Sequence, residues 1–282
     1  MNLISIISIS RPRFWLYLGG TYLVGLSLGF QNFHDVINPL YWAFFIFFSI
    51  PANLYLYGIN DLFDKDTDKH NSKKGTQEHH LKKEEDTSLK IWLGVTLVMF
   101  VGLILIQDNW KVSLLLALFV FLMTIYSAPP LRLKSRIILD FSSNVFYLIP
   151  GIIGYIQTSQ SLPHWFILWG LACWTFAMHL YSAIPDILAD KEAGIRTTAV
   201  WLGVRQSLIL CGVFWSVFSL TTLSLAHWFP WSLFSLFYPL IILLLLTQKE
   251  PPILKFYWLF PFINAIFGFG VYILAFTKLI YG

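Results

Sequence analysis

The stretch Asn53–Asp68 reads NLYLYGINDLFDKDTD. Its first half is apolar and aromatic, and its second half is dense in carboxylates. Extended back to residue 40, the apolar part is about 20 residues long, enough for a helix to cross a bilayer. Within the acidic part, Asn60, Asp64 and Asp68 recur every fourth residue, so a continuing helix would carry them on one face. Tyr57 and Asn53 extend that face inward. Stacked like charges oppose a helix. The cluster therefore needs either a compensating cation or a departure from helical geometry.

The rest of the chain repeats this alternation of apolar run and charged end. Of 282 residues, 57% are hydrophobic, 18% aromatic and 12% charged, and the mean hydropathy is +0.66. A soluble domain carries roughly twice that charge, and a disordered chain needs the opposite balance. Fifteen of the 34 charged residues lie between Asp61 and Lys90, and none lies between Ser207 and Thr247. Nine apolar runs follow, at about 14–30, 40–60, 89–107, 111–127, 139–158, 164–185, 207–228, 231–248 and 256–278. They are continuously apolar and lack the alternation of a barrel strand. The expectation is an all-α, polytopic membrane protein, one domain over residues 1–282. If the N-terminus is cytoplasmic, 17 of the 19 Lys and Arg residues fall on the inside and only Lys111 and Lys278 outside. The N-terminal MNLISIISISRPRF has no basic residue before its apolar stretch, so no cleaved signal peptide is expected. Cys173 and Cys211 lie within apolar runs and read as packing residues. Nothing supports nucleic-acid binding, since the basic residues record topology.

A second acidic pair, Asp186 and Asp190, ends the sixth run within PDILADKEAGIRTT, displaced by 122 residues from Asp64 and Asp68. Pro185 removes a backbone donor and loosens the helix just before it. Four intervening spans return the chain to the same side, so the two pairs are expected to face one compartment. Oxygen ligands without His or Cys suit Mg2+, which binds through a few carboxylates and the phosphates of a substrate. The expected metal set is Asn60, Asp64, Asp68, Asp186 and Asp190.

The third constellation is YSAPPLRLK, residues 126–134. A double proline cannot continue a helix, and the rigid exit directs Arg132 and Lys134 toward the carboxylates. Such cations would neutralise phosphate oxygens. Lys74 and Arg196 are weaker candidates of the same kind. His179 lies two turns inside Asp186, where a lone histidine is more often a packing group. Asn53, Asn144 and Asn264 could line a cavity or join helices. Tyr57, Tyr126 and Tyr181 could present ring faces to a carbocation. Gly25-x-x-x-Gly29 indicates close helix packing and no more.

A diphosphate head on an apolar tail is the substrate that wants acidic pairs, divalent cations and a greasy interior. If the tail is allylic, heterolysis gives a delocalised cation that a dry pocket protects. No nucleophilic Ser, Cys or Lys arrangement is needed.

Asn60-Asp61-x-x-Asp64-x-x-x-Asp68, the YSAPPLRLK turn and Asp186-x-x-x-Asp190-x-x-x-Gly194-Ile-Arg-Thr together resemble the UbiA superfamily of intramembrane prenyltransferases. The resemblance covers nearly the whole chain. It implies nine helices around a central cavity open laterally to lipid, and Mg2+-dependent prenyl transfer. It also implies Asp64, Asp68, Asp186 and Asp190 as catalytic acids on the metal, with Asn60, and Arg132 and Lys134 on phosphate. Quinone-type members follow the first motif with an Arg-Pro-x-x-x-Gly-like segment, which KHNSKKG (69–75) lacks. NLYLYGINDLFDKDTD, FSSNVFYLIPGIIGY and MHLYSAIPDILADKEAGIRTT are most similar to the lycopene elongase branch. That branch implies dimethylallyl diphosphate as donor and lycopene as acceptor, in a cell membrane with the site facing the cytoplasm. An aromatic acceptor is the alternative within the superfamily. An ion-coupled transporter is a further alternative, although transporter sites lie near the midplane.

Overall fold

The structure, a computed structural model, describes residues 3–64, 81–225 and 230–281. No strand occurs among them. A short α1 (Leu3–Ile9) and a 3-10 turn (Pro12–Tyr17) lead into α2 (Gly19–Leu28), and α3 (Phe33–Ile37) connects to α4 (Pro39–Ser49) and α5 (Pro51–Phe63). Then come α6 (Asp86–Leu105), α7 (Trp110–Ser127), α8 (Leu139–Ser142) and α9 (Ile149–Ser159). The chain finishes with α10 (Trp165–Ala183), α11 (Ile187–Glu192), α12 (Thr198–Leu223), α13 (Phe237–Leu246) and α14 (Ile253–Tyr281).

Helices are the one open-ended structure that satisfies its own backbone in hydrocarbon. Their starts carry legible caps: the side chains of Asn38, Asn109 and Thr197 accept from Leu40, Lys111 and Val200 backbone N–H groups. Among the described residues, seven stretches are long and apolar enough to cross a membrane: Pro39–Phe63, Asp86–Leu105, Trp110–Ser127, Leu139–Ser159, Trp165–Glu192, Thr198–Leu223 and Ile253–Tyr281. Outward faces are apolar, with Ile91, Val98 and Leu105 exposed on α6 and Phe262, Ile266 and Phe269 on α14.

Two expected spans are shorter than a full crossing. Residues 14–30 hold a 3-10 turn and the ten-residue α2, and residues 231–248 fall on the apolar helical stretch Pro230–Leu246. The expected start of the seventh span, 207, also differs. Helix α12 begins at Thr198 and is broken at Gly203, whose φ of 74° lies in the left-handed region that glycine tolerates.

Buried side chains form two clusters. One joins α2, α4, α5, α6, α7 and α9, and the other joins α8 and α10 to α14. Helix α2 packs mainly on α9, and α10 on α12. At the α2–α9 crossing a Cβ on Gly25 would collide with the Gly151 carbonyl, and one on Gly154 would lie 2.5 Å from the Tyr22 carbonyl. The close packing expected of Gly25 and Gly29 is present, with Gly29 against Thr158.

Candidate active site

Both acidic motifs and the proline exit meet at one end of the bundle. Helix α5 stops at Phe63, and Asp64 caps it with φ −106° and ψ 6°. Its carboxylate accepts from Arg132 Nη2 at 2.9 Å and pairs with Lys134 Nζ. Lys134 also donates to Asn60 Oδ1 at 2.7 Å, and Ser127 donates to the same oxygen at 3.1 Å. Asp64 thus shows both remedies anticipated for the acid-rich segment, cations and a release from the helix. Asp68 and Lys74 lie outside the described residues.

The second motif is built differently. Pro185 sits in a 3-10 turn, Ile184–Asp186, between α10 and α11. Asp186 occupies the N-cap of α11, and Asp190 lies one turn on. Thr197 Oγ1 donates to Asp190 Oδ2 at 3.3 Å, and the Ile195 N–H to the Asp190 carbonyl at 2.8 Å. Gly194, at φ 69°, makes the reversal between them.

Asn60, Asp64, Arg132, Lys134, Asp186, Asp190 and Thr197 line one cavity of about 190 Å³. Arg11, Tyr126, His179 and Ser182 line it too, and with Asn60 they also line a second cavity of about 190 Å³ behind it. The inner chamber is aromatic, walled by Phe14, Tyr17, Tyr57, Tyr147, Trp174, Tyr181, Tyr257 and Phe260. Tyr126 Oη and His179 Nε2 lie 3.0 Å apart across the boundary. Tyr57, Tyr126, His179 and Tyr181 all line the inner chamber. The Tyr181 hydroxyl donates to the Ile253 carbonyl, so its ring alone serves the chamber.

Two expected binding residues stand elsewhere. Asn53 lines neither cavity. Its amide donates to the Phe48 and Ser49 carbonyls at 2.8 and 2.9 Å, at the break that Pro51 makes between α4 and α5. Arg196 is exposed and lines neither cavity, although its neighbours Ile195 and Thr197 do. Conversely, the sequence assigned Arg11 to topology alone. In the structure it pairs with buried Asp61 at 3.0 Å and lies over the Tyr57 ring, 4.4 Å from its centre. Its only sequence signal was a basic residue just before an apolar run.

The donor set is chemically suited to Mg2+. The acids and the Asn60 amide supply hard oxygens, with no thiol nearby. Among the described residues no three His, Cys, Asp or Glu side chains cluster tightly enough to hold a metal alone. Arg132 also keeps a buried Nε donor without a partner at this wall, a fit for an anionic oxygen.

Residues 18–260 match the UbiA prenyltransferase family. The lycopene elongase/hydratase of Haloarcula japonica is 36% identical over 279 residues, which span 98% of this chain and 92% of that protein. The lycopene elongase/hydratase of Corynebacterium glutamicum is 33% identical across 71% of this chain and 70% of its own length. The solved structure of a UbiA homolog from Archaeoglobus fulgidus bound to DMAPP and Mg2+ has the same fold. Its TM-score is 0.75 at 17% identity, with 99% of this chain and 100% of that one covered.

Proposed function

The chain belongs to the UbiA prenyltransferase family, a multi-pass integral membrane protein, and from that premise we propose that it transfers a dimethylallyl group from dimethylallyl diphosphate to lycopene. One observation carries the reading. A cavity lined by carboxylates of both acidic motifs and by Arg132 and Lys134 shares Arg11, Asn60, Tyr126, His179 and Ser182 with a small aromatic chamber. The names of the relatives, and the ligands of the Archaeoglobus fulgidus homolog, support the choice of substrates.

Asn60, Asp64, Asp186 and Asp190 would hold Mg2+, with Asp68 as a further candidate. When bound, Mg2+ offsets the charge that develops on the diphosphate as its C–O bond breaks. Arg132 and Lys134 are engaged with Asp64 in this structure. The incoming diphosphate competes for both cations, which frees the Asp64 oxygens. The electron pair of the broken bond leaves with the diphosphate. The allylic cation remains in the inner chamber, where the Tyr57, Tyr126 and Tyr147 rings exclude water and offer π faces. A terminal double bond of lycopene then forms the new C–C bond. The cation left on the acceptor ends by losing a proton to water, or by capturing a water molecule that then gives up a proton to a second water. We place the charged cavity on the cytoplasmic side, where the water-soluble donor and the Lys and Arg bias agree.

The test is pigment extraction from a lycopene-producing host that expresses the chain. Lycopene heavier by one or two five-carbon units, hydrated or not, is the expected product. Unchanged lycopene in a well-expressing host overturns the acceptor, and prenylated aromatic product would assign it to a quinone precursor instead.

A further inference from the structure

A third cavity, of about 540 Å³, lies between α2, α9, α10 and α14. It is nearly three times the volume of the reaction chamber and falls within the roughly 300–1,000 Å³ range of small-molecule sites. Its lining is almost wholly apolar, and the rim residues Leu16, Leu28, Trp42 and Phe269 are exposed on the lipid-facing surface. It touches the reaction chamber through two residues, Tyr17 and Trp174, whose ring centres are 6.4 Å apart. Tyr17 is fixed in place: Asn264 donates to its hydroxyl at 3.1 Å, while accepting from Tyr238 at 2.6 Å. Three spaces thus follow one another, charged, aromatic and apolar, with the diphosphate groups at one end and this cavity at the other.

We infer that the apolar cavity holds the body of the long hydrocarbon acceptor, and that Tyr17 and Trp174 form a neck which admits only the acceptor's end to the reacting carbon. This rests on the function proposed above. The diphosphate must occupy the charged end, because the cations and acids are there. A five-carbon donor group fits the small chamber next to it. An acceptor lying in the apolar cavity reaches that chamber past Tyr17 and Trp174, the residues that line both. The neck thereby selects the terminal double bond of a linear polyene over its many internal ones. Asn264 is a positioning residue, acting through the Tyr17 hydroxyl.

The experiment uses full-length protein purified in detergent from a lycopene-producing host. It compares wild type with Gly20→Phe and Ala265→Phe, which fill the cavity from opposite walls. A Cβ on Gly20 meets only Leu16, at 3.6 Å, so that site has room for a side chain. Carotenoid bound per protein is expected to fall about tenfold or more in both variants, with the affinity for dimethylallyl diphosphate and Mg2+ unchanged. That unchanged affinity also reports an intact fold. Asn264→Leu is expected to lower kcat with the acceptor about tenfold while the donor KM holds. Wild-type pigment levels in the filled variants, or no pigment on the wild type, overturn the inference. So does a selective loss of affinity for a longer donor, geranylgeranyl diphosphate, which would assign the cavity to the donor tail. Pigment that binds in wild type, is lost on filling, and is never prenylated leaves the cavity assignment standing and overturns the proposed reaction. Prenylation untouched by filling does the reverse.

Discussion

The end of α5 and the junction of α10 with α11 carry the same acidic pattern, 122 residues apart, and differ in what holds it. At α5 the helix simply stops, and Asp64 is clasped by two cations from the exit of α7. At α10–α11 a proline loosens the chain, a short helix restarts, and Asp190 is held by a neutral hydroxyl. The first end is also doubled: Asp61 has its own arginine, Arg11, while the equivalent position in the second motif is Ala183. Among the described residues, the first arm is clasped by cations from the exit of α7, and the second is shaped by a proline turn, a short helix and the Thr197 hydroxyl.

The largest expected effect tests whether both arms are needed. Asp64→Ala and Asp186→Ala should each lower Mg2+-dependent transfer by about 10³-fold or more, measured as diphosphate release from purified protein. Stability should separate them. Asp64→Ala leaves Arg132 and Lys134 facing each other without their carboxylate, at a cost of about 1–3 kcal/mol after allowance for Arg132's one-third exposure. Asp186→Ala should cost less, since the Asp186 side chain makes no cap hydrogen bond at the start of the six-residue α11. Equal destabilisation would break the contrast between the two arms.

Next come the cations. Arg132→Leu or Lys134→Leu should raise the donor KM about 10- to 100-fold, the worth of a charge-assisted hydrogen bond, with a smaller change in kcat. Arg11→Leu should lower kcat about tenfold, since it removes an ion-pair partner of buried Asp61 and the cation over Tyr57. A KM effect without a kcat effect would move Arg11 to the phosphate end. Smallest is Thr197→Ala, which deletes the long hydrogen bond to Asp190 and the α12 cap bond from the Val200 N–H, and should change kcat/KM about two- to tenfold.

Much of the fold was legible because hydrocarbon imposes simple rules. Each expected apolar run overlaps a helical stretch, and charges are confined to their ends. The acidic pairs were legible for the same reason: where so few polar groups are available, regular spacing stands out. Local backbone breaks were harder to see. Arg205 makes the start of α12 look like a loop, while the Thr197 cap and Gly203 allow helix there. Residues 139–158 read as one span, yet α8 and α9 are joined by a 3-10 stretch, Ser143–Leu148. Within the site, Arg11 and Tyr17 escaped notice because their partners are distant in sequence. Arg11 meets Asp61 50 residues on, and Tyr17 meets Asn264 at a separation of 247. Asn53 misled in the opposite direction. It shares the motif's helical face but lies at the Pro51 break, where free carbonyls claim its amide.

The division of the buried side chains has a consequence for biogenesis. The cluster around the first helices is completed by Ile149, Ile153 and Ile156 of α9, a helix from the second half of the chain. Synthesis delivers the N-terminal half first. Until α9 enters the bilayer, α2 has no partner for the seam where Gly25 meets Gly151, and its small residues face lipid. The halves of this protein cannot mature one after the other. Helix α9 must reach back and pack on α2, so a nascent chain paused before residue 149 would be a natural target for membrane quality control.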